Sequence, residues 1–167
     1  MTDETGTEDD CLFDIILDES TIGRTTPDIE HEREVAIFDL LDQNFFKLVK
    51  REDKPHVDGP YILNLSIIEN RLLFNIEDSE NNFIVAHTLS LSPFKKIIKD
   101  YFLICESYFE AIKTATPQRI EAIDMGRRGL HNEGCALLRE RLEGKIILDD
   151  DTSRRLFTLI AALHWKG

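Results

Sequence analysis

No apolar run in this 167-residue sequence is long enough to cross a bilayer. The longest, such as 159–163, fall far short of the roughly 20 residues a spanning helix needs. Cysteine is scarce. Cys11, Cys105 and Cys135 are an odd count with no Cys-x-x-Cys, which excludes a disulfide framework and a structural zinc site and points to reduced thiols. The first residues lack a basic stretch followed by an apolar core, so no secretory signal is read there and the expected compartment is the cytoplasm. Aromatics make up 8% of the chain and fall at core spacing, not interleaved with a basic stripe, which argues against a nucleic-acid stacking platform.

Positive charge is what the front of the chain lacks. Residues 1–91 hold 7 Lys/Arg against 21 Asp/Glu, a balance of −14, whereas 92–167 come to +2, giving the total of −12. Such a surface repels phosphate backbones, so binding to DNA or RNA is disfavoured. The hydrophobic fraction of 42% is ordinary for a folded domain. The expected organisation is an acidic, disordered tail over 1–10 and a single domain over 11–167.

A first strand is predicted over 12–18. Thr26 and Pro27 then read as a cap and a first helical residue, opening a helix over 27–43 with Ile29, Ala36, Ile37, Leu40 and Leu41 on one face. A short strand over 46–49 and a loop over 50–60 follow. Residues 61–76 alternate around the two-residue turn Glu69-Asn70. Pairing Ile68 with Arg71 sets Ile67 opposite Leu72, Leu65 opposite Phe74 and Leu63 opposite Ile76, all on one face. A four-residue loop over 78–81 leads to a third strand over 83–91, with Phe83, Val85, His87, Leu89 and Leu91 facing the same way and His87 read as a hydrogen-bonded core histidine. Ser92-Pro93 and Thr116-Pro117 open two more helices. The first carries a broad apolar stripe that includes Tyr101, Phe102, Cys105 and Phe109, and the second runs to a C-terminal cap at Gly144. A short strand over 146–148 and a last helix, capped by Asp151 or Thr152 and running to Trp165, complete the pattern. The fold class is α+β: a three-strand antiparallel meander plus the N-terminal strand, covered on one face by four or five helices.

The polar segment 124–134 stands out. If its helix is continuous, Asp124 and Arg128 are i, i+4 partners, Arg127 and His131 share a face, and Gly126 and Gly134 admit a neighbouring helix. If Gly126 or Gly129 breaks it, backbone N–H groups near Asn132 join Arg127 and Arg128 in an anion site. His131, Asp124 and Glu133 are the candidate acid–base groups, and Cys135 with His131 a candidate thiol–imidazole pair. Gly126-Arg127-Arg128-Gly129 lacks the spacing and ending of a phosphate loop, and there is no His-Glu-x-x-His. Glu30-His31-Glu32 and Asp149-Asp150-Asp151 spell no chelate by themselves, so no metal or cofactor is expected.

Several strings resemble an uncharacterised alphaproteobacterial family, number two-six-two of the UPF series. They are Glu34-Val-Ala-Ile-Phe-Asp-Leu-Leu41, Lys99-Asp-Tyr-Phe102, Cys105-Glu-Ser-Tyr-Phe109, Ile120-Glu-Ala-Ile-Asp-Met-Gly-Arg-Arg-Gly129, His131-Asn-Glu-Gly134, Arg141-Leu-Glu-Gly-Lys145 and Arg154-Arg-Leu-Phe-Thr-Leu-Ile160. The resemblance covers nearly everything after the acidic tail and implies a bacterial source, with the tail peculiar to this chain. It transfers no activity, cofactor or functional residue. With no catalytic motif, the expected function is a small cytoplasmic binding or adaptor protein, soluble and without a membrane anchor. It would engage a protein partner or a second copy of itself through its helical C-terminal half. The alternative is an enzyme or sensor for a phosphate or carboxylate ligand, using residues 124–133.

Overall fold

The computed structural model describes residues 6–164. Residues 1–5 of the acidic segment and Trp165 at the expected end of the last helix lie outside them. In the described part of that segment residues 6–9 are exposed, whereas Asp10 is buried and its carbonyl accepts the Phe46 N–H at 3.0 Å.

The elements alternate as β1 (Leu12–Leu17), α1 (Pro27–Asp42), β2 (Phe46–Leu48), β3 (Tyr61–Ile68), β4 (Arg71–Glu77), β5 (Phe83–Ser90), α2 (Lys95–Thr114), α3 (Pro117–Arg141), β6 (Ile146–Leu148) and α4 (Asp150–His164). Strands β1-β3-β4-β5 form the main sheet in that order, and β2 pairs antiparallel with β6 in a second, two-stranded sheet. This is the mixed α+β architecture expected from the sequence, with one refinement: β1 joins β3 in parallel through the crossover that contains α1.

The register of the meander is the one the alternation dictates. Leu63 lies opposite Ile76, Leu65 opposite Phe74 and Ile67 opposite Leu72, with Asn64 opposite Asn75 on the other face. Leu63, Leu65, Leu72, Phe74 and Ile76 are buried. Each stabilises by about 1.5–3 kcal/mol, so a one-residue slip, which would expose all five, is strongly excluded. Glu69 and Asn70 both take positive φ (52° and 61°), the twist that matches a two-residue hairpin.

Three local expectations are corrected. Phe83 is 63% exposed rather than inward, because the ladder shifts between Ile76 and Glu77: Ile76 pairs with Val85 and Glu77 with Phe83, leaving Ile84 as the extra residue. The Asp78 carboxylate accepts the N–H groups of Glu80 and Asn82, both at 2.9 Å, and this turn lengthens the loop by one residue. Ser92 does not cap α2. Its hydroxyl accepts from the Asn70 amide at 2.9 Å, and residues Ser92–Phe94 form a 3-10 turn instead. The cap of α4 is Asp149, whose carboxylate accepts the Thr152 N–H at 2.8 Å; Thr152 is buried and its hydroxyl accepts the Phe45 N–H.

Helix α4 is the hub of the helical layer. Leu156, Phe157, Leu159, Ile160, Ala161, Ala162 and Leu163 are all buried, and α1 and α3 both pack on it, while α2 packs on α3. Arg33 of α1 is also buried, at 7% exposure, on the stripe Ile29-Arg33-Ala36-Leu40. Its guanidinium donates to the carbonyls of Ala162 (3.1 Å), Leu163 (3.4 Å) and Gly23 (3.0 Å). The positive charge thus meets the carbonyl end of α4, where the helix dipole favours it. Among the described residues no helix is long and apolar enough to cross a membrane.

Candidate functional site

The polar segment lies within a continuous helix. Thr116 caps α3, its hydroxyl accepting the Arg119 N–H at 3.3 Å, and the helix runs without a break from Pro117 to Arg141. None of its glycines makes a turn, and Gly126 and Gly134 serve packing. A Cβ at Gly134 would overlap the ring of Phe157 in α4, and one at Gly126 would lie 2.7 Å from Cδ1 of Ile104 in α2. These are the close helix approaches expected of the unbroken form.

Both arginines converge on one carboxylate. Arg127 donates from Nε to Asp124 Oδ1 at 3.1 Å, and Arg128 Nε lies 3.1 Å from Asp124 Oδ2. The two guanidinium groups hold the Asp124 carboxyl below the usual carboxylate range, the hydrogen bond from Arg127 contributing most. Arg127 is the more enclosed of the pair, with its Cζ 4.6 Å over the Tyr108 ring; Arg128 is mostly exposed. Asn132 and Glu133 are exposed.

His131 turns inward. Its Nε2 lies 2.9 Å from Thr158 Oγ1, and its Nδ1 lies 3.5 Å from Cys135 Sγ. The Thr158 hydroxyl donates to the Arg154 carbonyl at 3.0 Å, so it accepts from His131, which assigns the proton to Nε2 and leaves Nδ1 to receive the Cys135 thiol. The ring packs edge-on against Phe157 and lies 5.4 Å from the Tyr101 ring. Burial, then Arg154 and Arg127, pull the His131 pKa down, and burial pushes the Cys135 thiol up to about 11. A thiol held protonated is a poor nucleophile at neutral pH. The fold therefore joins His131 to Cys135 and Thr158, and Asp124 to Arg127 and Arg128. It does not place His131 in hydrogen-bonding contact with Asp124 or Glu133.

A groove of about 560 Å³ opens beside this cluster. Small residues, Thr158 and Ala161 of α4 and Ala36 of α1, line it, with Val35 on one wall and Phe102 and Phe109 on the other. On the α2 wall Phe109 is 57% exposed and Phe102 is half-buried; Leu103 and Ile112 are exposed too, away from the groove. Asp28, Glu32 and Asp39 from α1 and Glu106 from α2 add acidic groups, while Arg127, Tyr101 and Cys105 line it at the α3 side. Burial raises the pKa of both the Tyr101 hydroxyl and the Cys105 thiol. Sequence reading found the α2 stripe but not the α1 wall, whose acids lie between the apolar positions of a helix read only for its inner face. Among the described residues no three His, Cys, Asp or Glu side chains gather as a metal site. Asp149 caps α4, and Asp150 pairs with Arg139 at 2.9 Å.

The family model of the uncharacterised protein family UPF0262 matches residues 9–166. A UPF0262 protein of Rhizobium etli is 58% identical over 156 residues, covering 93% of this chain and 96% of its own. One from Rhodopseudomonas palustris is 55% identical over 94% of this chain and 93% of its own. A third, from Nitrobacter winogradskyi, is 54% identical across 100% of this chain and 99% of its own, an alignment that takes in the N-terminal segment. No solved structure matches. On a match that spans almost its whole length, the chain belongs to the bacterial family UPF0262.

Proposed function

We propose that this is a cytoplasmic binding protein whose groove between α1 and α2 receives an amphipathic helix from a protein partner, with basic residues along the helix flanks. The carrying observation is that exposed Phe109 and half-buried Phe102 of α2 face Val35 across a floor of small side chains. Small floor residues let a helix approach closely, apolar walls take its anchors, and this is how helix-in-groove recognition works. The acidic groups Asp28, Glu32, Asp39 and Glu106 select a basic partner, and they oppose a second copy of a chain that itself carries −12. One wall comes from α1, so the surface extends beyond the C-terminal half.

A photo-crosslinking residue placed at Val35 in living cells tests this, with Thr88 on the sheet as control position. The expected product is a crosslink to a helix-forming, basic segment of another protein, lost when Phe109 is changed to Glu. Crosslinks only between copies of the chain, or a complex indifferent to Phe109→Glu, would overturn it.

A second reading, an anionic small molecule held by Arg127, draws on the presence of that guanidinium in the groove wall. Asp124 is its internal competitor. Asp124→Asn would then strengthen binding of a phosphate or carboxylate ligand, measurable by calorimetry, and no gain in affinity would dismiss it.

A further inference from the structure

Cations are rare in the front half of this chain, yet two of the protein's arginine and lysine side chains meet two histidines around one cavity. Arg51, His56, His87 and Lys145 line a recess of about 70 Å³ whose apolar wall includes Leu48 and Val85, both buried. The fold gathers them from three places. Gly144, at φ +79°, turns the chain out of α3 so that the Lys145 carbonyl accepts the Val49 N–H at 3.0 Å, continuing the β2–β6 ladder. Arg51 follows two residues after Val49 and reaches toward the Ile84 carbonyl of β5 at 3.5 Å. His87 stands on the inner face of β5 opposite Phe74, and the His56 loop is held by the Tyr61 hydroxyl, which donates to the Val57 carbonyl at 2.7 Å.

Negative charge is sparse at this cluster. His56 has Asp58 at 3.4 Å, and that carboxylate is largely exposed. Among the described residues neither Arg51 nor Lys145 makes an ion pair, and the His87 ring has no hydrogen-bond partner. His87 was expected to be a satisfied core histidine. It is half-buried instead, and burial, then Lys145, then Arg51 lower its pKa. Like charges assembled against apolar walls are unfavourable in themselves, and a chain with 32 acids and 20 bases had carboxylates to spare for neutralising them. The donors that remain free are of the type that recognises oxyanions.

We propose that this cavity binds a small oxyanion, with Arg51 and Lys145 supplying the charge and His87 and His56 supplying N–H donors. A volume of about 70 Å³ is several times the ~10–15 Å³ of cavity that one water needs, so it has room for a small oxyanion. The site is separate from the groove and does not depend on its occupant.

The test is calorimetric titration of the full chain with sodium sulfate at constant ionic strength, alongside imidazole NMR signals of His87 and His56. Binding at one sulfate per chain with movement of both imidazole signals is expected. Arg51→Gln and Lys145→Gln should each weaken it about tenfold, the loss of one charge-assisted hydrogen bond. With sulfate absent, Lys145→Gln should melt no lower than the parent, since it removes a like-charge neighbour. That comparison also separates loss of the site from loss of the fold. Absence of heat and of imidazole shifts at roughly 100 mM sulfate, a hundredfold above a ~1 mM dissociation constant, would overturn the proposal. So would binding that both variants leave unchanged. Phosphate and a phosphomonoester, titrated in the same way, distinguish the free ion from an ester head group: tighter binding of the monoester assigns the ligand to esters, and equal binding assigns it to the free ion.

Discussion

Gly134→Ala is the substitution on which the packing argument turns. Glycine inside a helix is worth about 1 kcal/mol less than alanine, so on propensity alone the change should stabilise. The structure reverses the sign. An added Cβ would overlap Cζ and Cε1 of Phe157 and lie 2.6 Å from Cε2. That ring cannot retreat easily, because it is fully buried and in edge contact with both His131 and Tyr101. Overpacking of this kind costs about 1–3 kcal/mol, and the severity of the overlap places it at the upper end. The net expectation is a loss of about 2 kcal/mol, or about 4–8 °C in Tm for a domain of this size. Urea denaturation measures it. Gly129→Ala is the internal control, since nothing lies within 4 Å of its Cβ position and it should gain up to about 1 kcal/mol. Phe157→Leu leaves a void and is itself destabilising. Combined with Gly134→Ala it should nonetheless recover part of the loss, giving a coupling between the two sites. If Gly134→Ala were as stable as Gly129→Ala, the account of α3 packed on α4 through that glycine would be refuted.

Arg33→Met keeps the apolar stem but strands the Ala162 and Leu163 carbonyls, so a loss of about 2–3 kcal/mol is expected in the same urea assay; an unchanged midpoint would refute the carbonyl-capping role. Glu69→Gly should stabilise by about 1 kcal/mol, because a residue with a Cβ is strained at φ 52°; a lower melting temperature would contradict it. Stability should fall as pH drops from about 6.5 toward 5. His131 and His87 both have native pKa values below the ordinary 6.5, so the unfolded chain takes up protons first in that window, and the stability is fully present above it. Urea midpoints across pH 5–8 measure this, and His131→Gln should flatten part of the slope; a midpoint independent of pH would reject the buried neutral histidine.

How much of this was legible from residues alone depended on how local the signal was. The β3–β4 register could be read because alternation and a two-residue turn fix one another. The parallel docking of β1 could not, since its partner lies beyond a crossover that no periodicity records. The Phe83 error came from one residue: the ladder shift skips Ile84, which reverses the face of what precedes it. For the polar segment, helical spacing correctly paired Asp124 with Arg128 and brought Arg127 and His131 to one side. The sequence could not say that Thr158, twenty-seven residues on, would take His131. Arg33 was hidden for another reason. A charged residue on an apolar stripe reads as a flaw unless the carbonyls awaiting it are known.

The most enclosed helix is also the one that follows, in chain order, everything it packs against. Until Asp150–His164 leaves the ribosome, α1 and α3 lack the surface on which their inner faces rest, and the buried guanidinium of Arg33 has no α4 carbonyls to meet. At about 5–20 residues per second, α1 waits several seconds for that surface. During synthesis the β3–β4–β5 meander is the part that can close early, and the helical layer is completed only when α4 arrives.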